Sequence, residues 1–282
     1  MTLITLFSNN QFLLRALIAC IAISFVCPLL GVFLMLRRMS LMGDAISHAI
    51  LPGVAVGFML AGISTIAMAI GGIVAGVLVT LFAGIVSRHT VIKEDASFAG
   101  FYLIALALGV TIISKSGTNL DLMHILFGSI LAVDKQSLFI IIIITSFSLV
   151  TLAVVIRPLT IDILDKNILK TFAINASVYH LLFLFIVVVN IVVDFQVLGT
   201  ILVIGLMMLP AATARVLSRS FNIMLLNAIL TSLIASLVGI ILSYYYDLPT
   251  GPAIILTAGM CYILAILYAY LVKLIKRPHY KY

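Results

Sequence analysis

Residues 12–36 read FLLRALIACIAISFVCPLLGVFLML, and the chain passes from there directly into Arg37-Arg38. About 20 consecutive apolar residues in helical form cross the hydrocarbon of a bilayer. This run is longer, and Arg15 is its single charge. A helix on the surface of a soluble protein keeps one polar face, whereas one apolar all round is enclosed by protein or lipid. The stretch therefore reads as a membrane span, and the rest of the chain is read from it.

The whole chain agrees. Of its 282 residues 64% are hydrophobic and 9% charged, against about 25% charged in a soluble domain. Such a chain has too little polar surface to face water, which excludes an ordinary soluble enzyme. The net charge of +7 does not indicate nucleic-acid binding, because Lys and Arg cluster in short segments between apolar runs, the pattern of topology signals. Cys20, Cys27 and Cys261 all lie within apolar runs without C-x-x-C spacing, so they read as buried, inert thiols rather than a disulfide framework or zinc knuckle. Leu17-Ile18-Ala19-Cys20 loosely resembles a lipoprotein cleavage site. The apolar run continues to Leu36, however, with only Arg15 before the cysteine, and a signal peptide has a short apolar region behind a basic start.

Further runs of spanning length lie at 44–61, 64–86, 96–113, 137–156, 178–193, 197–217, 221–243 and 253–275. Only Asp194-Phe195-Gln196 separates the sixth span from the seventh, so eight spans remain an alternative to nine. The fold class is an all-α integral membrane protein, a polytopic bundle forming one unit over 1–282. With the N-terminus outside, all but Arg15, Lys115 and Lys135 of the 16 Lys and Arg fall on inside segments. The positive-inside rule thus favours nine spans with the C-terminus in the cytoplasm. Tyr244-Tyr245-Tyr246 then falls at the outer interface, where amphipathic rings are at home. Gly53/Gly57 and Gly72/Gly76 are small-x-x-x-small patterns of the kind that lets backbones approach. Pro28, Pro52 and Pro210 within spans each remove a backbone donor and predict bends.

The chemistry concentrates after the first span, in Arg37-Arg38-Met39-Ser40-Leu41-Met42-Gly43-Asp44-Ala45-Ile46-Ser47-His48-Ala49-Ile50-Leu51-Pro52-Gly53. Asp44 and His48 are four apart, hence on one helix face and about 6 Å apart along the axis. Carboxylate oxygen and imidazole nitrogen are ligands accepted by manganese, iron and zinc, and Ser47 is placed to orient one of them. Ionisable groups inside a membrane segment are costly and mark function by default. On spacing alone three readings stand open: a metal site, a proton relay, or structure, with Asp44 capping a helix after Gly43 and His48 bonded to a neighbour. Two ligands do not close a site, but two copies about a two-fold axis would offer two Asp and two His as a transient station for a passing ion.

Other polar residues are weaker. Asp121 and His124 in the outside segment 114–136, and Asp194 at the outer turn after the sixth span, are candidates for drawing a cation to the pore mouth. His180 reads as an interfacial residue, Met207-Met208 as packing, and His89 and His279 as surface. The inside segment 157–177 has Ile161, Leu164, Ile168, Leu169 and Phe172 near helical spacing. It suits a short helix on the membrane surface or docked into a partner. The chain has no G-x-x-x-x-G-K-[ST] loop, so any ATP used would be bound by another polypeptide.

The stretch Ser40–Ala49 with Leu51-Pro52-Gly53 resembles a signature of the permeases of metal-type ABC importers, the zinc/manganese/iron uptake family. Val197–Val203 followed by Leu209-Pro210-Ala211-Ala212-Thr213-Ala214-Arg215, and Leu248-Pro249-Thr250-Gly251-Pro252, agree in the same order. The resemblance implies the fold of cobalamin- and siderophore-type importer permeases with one amino-terminal helix fewer. It also implies a homodimer, or a pair with a similar permease, joined by two ABC ATPase subunits and an extracytoplasmic metal-binding protein. No stable cofactor is implied; the metal is the transported substrate. Asp44 and His48 match the family's pore-lining carboxylate and imidazole. Segment 160–177 falls where the family's coupling helix docks into the ATPase. Its candidate coupling residues are Asp162, Asp165, Lys166, Lys170, Ala173 and Asn175, and Ala173-Ile174-Asn175 stands where relatives carry a glycine. The wording of the signature is nearer to manganese/iron members than to zinc members. A proton-coupled secondary transporter using Asp44 and His48 as a relay is the alternative. An intramembrane metalloenzyme is disfavoured, since no H-E-x-x-H or comparable ligand set is present.

Overall fold

The computed structural model describes residues 11–62, 64–115, 133–164 and 176–275. Among these, ten helices follow one another: α1 (Gln11–Leu36), α2 (Met42–Ala49), α3 (Leu51–Ala61), α4 (Thr65–His89), α5 (Glu94–Lys115), α6 (Lys135–Leu164), α7 (Ala176–Leu198), α8 (Thr200–Leu217), α9 (Phe221–Tyr246) and α10 (Thr250–Ile275). With α2 and α3 counted as one interrupted span, nine are long and apolar enough to cross a membrane. Nine rather than eight is therefore the number among the described residues.

Local chemistry sets the helix ends. The Ser64 side chain accepts from the Ala67 amide to open α4, and Asp134 Oδ1 accepts from the Ser137 amide at 3.0 Å to open α6, both satisfying donors orphaned at a helix start. The Ser137 contacts hold the Asp134 carboxyl below its usual range. Glu94 and Asp95 occupy the first turn of α5, where carboxylates suit the helix dipole. Asp247 in the left-handed region (φ 51) ends α9.

Two boundaries differ from the sequence reading. Asp194-Phe195-Gln196 is not a turn: α7 runs through it to Leu198, and the break falls at Gly199, whose φ of 85 suits glycine. The helix of the fifth span does not stop at 156 either. Helix α6 continues through Pro158 to Leu164, so Asp162 is helical; residues 165–175 lie outside the described residues.

Helices α1 and α7 are the most enclosed spans and α10 the least. α1 packs against α8 and α9, which with α10 form one group; α2 to α5 form another, and α7 touches both. Close approach depends on absent side chains. A Cβ on Gly53 would lie 2.0 Å from the Gly71 carbonyl oxygen, and one on Gly71 would lie 2.1 Å from that of Gly53. Gly57 meets α4 in the same way, at Ala67. The pattern at Gly53/Gly57 thus makes a backbone contact, but Gly72 and Gly76 instead face side chains of Ile50, Val54, Val188 and Val192.

Candidate functional site

Helix α2, which carries Asp44 and His48, is short for two reasons. It starts from a tight connection in which the Met39 amide bonds to the Leu34 carbonyl at 2.9 Å and the Met42 amide to that of Met39 at 3.0 Å. Arg38 turns that connection with φ 61. At its other end Pro52 lacks the N–H that would reach back to the His48 carbonyl, and the helix restarts as α3 after Ile50. Interrupted membrane helices of this type build ion sites in transporters, because backbone and side chains at the break face a cavity rather than lipid.

Asp44 Oδ1 and His48 Nε2 are 3.6 Å apart, with the two side chains 55% and 30% exposed. They face each other on one helical face but sit beyond ordinary hydrogen-bond length. No side chain caps α2, whose N-cap is Leu41, so Asp44 does not serve as the cap. Ser47 donates to the backbone carbonyl of Asp44 at 2.7 Å, and so orients neither the Asp44 carboxylate nor the His48 ring. Tyr102 of α5 stacks on the His48 ring, centroids 6.3 Å apart and planes at 29°. His48 Nδ1 is buried without a hydrogen-bond partner. Met207 Cε would lie 2.4 Å from a Cβ on Gly43, so the glycine before Asp44 admits the α8 thioether against α2. Beside Asp44 opens a cavity of about 230 Å³, with Asp95 and Tyr102 on its wall. Among the described residues no group of three His, Cys, Asp or Glu side chains is placed to hold a metal ion. Asp44 and His48 therefore stand as a pair, not as part of a larger cluster of such groups within the described residues of one chain.

The remaining candidates part company. Asp194 is 2% exposed, inside α7, and accepts from the Cys27 thiol of α1 at 3.4 Å. It is a buried helix-packing group, which corrects its placement at an outer turn. Asp121, His124, Asp165, Lys166, Lys170, Ala173 and Asn175 lie outside the described residues. Asp162 is described, and its partner is Arg37: Nη2 to Oδ2 is 2.7 Å, with both side chains largely buried.

That pair belongs to a cluster the sequence reading missed. The other terminal nitrogen of Arg37 contacts His180 Nδ1, and His180 Nε2 lies 2.7 Å from Glu94 Oε1. A neutral imidazole satisfies both, accepting from Arg37 at Nδ1 and donating to Glu94 from Nε2; that tautomer is assigned from the bonding pattern. The guanidinium also stands 5.7 Å from the Phe183 ring. Burial lowers the Arg37 pKa, and Asp162 and Glu94 oppose that drop. In the sequence, Arg37 counted as a topology signal and His180 as an interfacial residue. Separations of 125 residues to Asp162 and 86 from Glu94 to His180 left no local pattern to read.

Comparisons with known proteins bear on the whole chain. The ABC 3 transport family matches residues 9–269. The manganese transport system membrane protein MntC of Halalkalibacterium halodurans is 34% identical over 262 residues, covering 93% of this chain and 88% of that protein. A probable iron transport system membrane protein of Haemophilus influenzae is 34% identical over 259 residues, 92% of this chain and 94% of the relative. A solved structure, PsaBC from Streptococcus pneumoniae in complex with Fab, superposes with a TM-score of 0.81 at 34% identity, covering 93% of each chain. The main reading gains from these similarities and the proton-relay alternative does not. The chain belongs to the ABC 3 transport family and is a membrane-spanning permease of the metal-type ABC importers.

Proposed function

We propose that this permease carries manganese or iron ions inward, with zinc the third candidate, and that Asp44 and His48 are the ligands an ion meets on its way. The observation that carries the reading is the geometry of α2. A carboxylate and an imidazole share one face of an interrupted membrane helix, half-exposed and 3.6 Å apart. Neither is engaged in capping or in a strong hydrogen bond to the other. Relatives named for manganese and iron transport support the substrate class.

The chain works as one permease domain over 1–282, paired with a second copy or a similar permease. Pairing brings two carboxylates and two imidazoles together, a four-ligand station that matches zinc and falls short of what manganese or iron commonly takes, and so is open enough to release the ion. A separate ABC ATPase docks on segment 160–177, with Asp165, Lys166, Lys170, Ala173 and Asn175 as its contacts, while Asp162, largely buried against Arg37, takes part from inside the permease; an extracytoplasmic binding protein delivers the metal. Asp121, His124 and the outer loop remain candidates for the entrance. The protein sits in a bacterial cytoplasmic membrane with its N-terminus outside and its C-terminus inside.

Elemental analysis of cells tests this directly. A host lacking its own importers expresses the chain with its ATPase and binding protein. One metal should accumulate with the wild type and fail to do so with a catalytically dead ATPase. Uptake that survives the dead ATPase but collapses with an uncoupler would transfer the energy source to the proton gradient.

A further inference from the structure

The cluster of Arg37, Asp162, His180 and Glu94 joins the connection after α1 to α5, α6 and α7. Asp162 stands at the end of α6 and His180 near the start of α7, on either side of the connection between those helices. Arg37 holds both, through its two terminal nitrogens. The chain from Arg37 to α2 has little freedom. The amides of Arg37, Arg38 and Met39 bond back onto α1, that of Met42 bonds to Met39, and Met39 and Met42 are buried at 5% and 1% exposure. A second branch runs through His180 to Glu94 and so to α5. That helix is fixed to α4 by the Ser97 hydroxyl on the Ala83 carbonyl at 2.9 Å, and it carries Tyr102 onto the His48 ring. Beneath the guanidinium, Phe183 meets Phe33 edge-on with centroids 5.9 Å apart, which leaves Arg37 a packed base rather than a yielding one.

We infer that Arg37 is a positioning residue for transport: it fastens the adjoining ends of α6 and α7 to the helix bearing Asp44 and His48, so that displacement of those ends moves the ligand pair. The inference rests on the importer reading above and adds the mechanical link within the chain. Without the link, α2 follows α6 and α7 only through the packing of α7 against it. ATP is then hydrolysed with little ion moved. A largely buried ion pair suits this work better than an apolar contact. Its directional hydrogen bonds hold one register, and removing one partner leaves the other charge buried and unpaired.

The experiment reconstitutes the full complex of permease, ATPase and binding protein in liposomes and measures manganese(II) accumulated per ATP hydrolysed. Arg37→Gln and Asp162→Asn should each lower that ratio roughly tenfold, within the range found when one link between coupled sites is broken. The double variant should fall no further than either single, and Arg37→Lys should recover part of the ratio. Should Arg37→Gln not assemble, His180→Gln, which cuts the tie to α7 and the branch to Glu94 while leaving Arg37 on Asp162, is read in the same way. A purely structural role would lower uptake and hydrolysis together and leave the ratio at its wild-type value, and that result overturns the inference. So does a double variant whose loss is the product of the two singles. A wild-type complex that hydrolyses ATP but accumulates no manganese, iron or zinc fails at the earlier step, the importer reading, and takes the inference with it.

Discussion

Asp44 and Asp194 are both carboxylates in membrane helices, yet their surroundings give them opposite uses. Asp44 is half-exposed beside a cavity and faces His48, so replacing it disturbs little packing. Substitutions at such positions change stability by about 0.5 kcal/mol or less. Asp44→Asn should therefore leave the amount of assembled permease unchanged while abolishing metal accumulation, checked by immunoblot and elemental analysis of the same cells; His48→Ala, which also takes the ring from Tyr102, should abolish accumulation per assembled permease. Normal transport by the double variant would return both residues to structure. Asp194 is enclosed and takes its hydrogen bond from Cys27. Cys27→Ala leaves that oxygen without its donor, at a cost of about 1–3 kcal/mol. Thermal unfolding in detergent should show it, with Cys27→Ser much closer to wild type. The i,i+4 spacing made the Asp44–His48 pair legible because both residues lie on one local helix. Nothing near Asp194 signalled its burial, since the thiol that contacts it is 167 residues away.

At the scale of elements, the same residue type separates into contacts that cannot change and positions that are free. Gly53 of α3 and Gly71 of α4 touch backbone to backbone, and a Cβ on either would sit near 2 Å from a carbonyl oxygen. Gly71→Ala should push the two helices apart and destabilise the bundle by about 1–3 kcal/mol, the usual cost of overpacking. Gly100, in the second turn of α5, has open space where its Cβ would be. Gly100→Ala should be neutral or stabilising by up to about 1 kcal/mol, since alanine is the better helix former. Paired melting curves of the two variants in one detergent check both expectations, and equal shifts would refute the contact. The sequence announced a close approach at Gly53 and Gly57. It could not say that the partner is Gly71 rather than Gly72, because one residue turns a helix by about 100° and only the packed pair fixes which face is inward.

For the whole molecule, orientation is the property most open to a direct test. Asp247 and Arg219 are exposed at opposite ends of α9. In a Cys261→Ser background, a membrane-impermeant thiol reagent should label Asp247→Cys in intact spheroplasts, and Arg219→Cys only after permeabilisation. The reverse labelling would invert the topology. What the sequence alone determined follows from composition and short-range periodicity. Apolar runs of spanning length required a helical bundle, because backbone groups in lipid must be satisfied within the helix. The Asp44–His48 face followed from 3.6 residues per turn. Tertiary structure alone decided where α7 ends, which charges find partners, and that Arg37 gathers Asp162, His180 and, through it, Glu94 into one cluster. A buried ion pair is chosen by three-dimensional proximity in a medium that penalises unpaired charge, and that proximity has no trace in the order of residues along the chain.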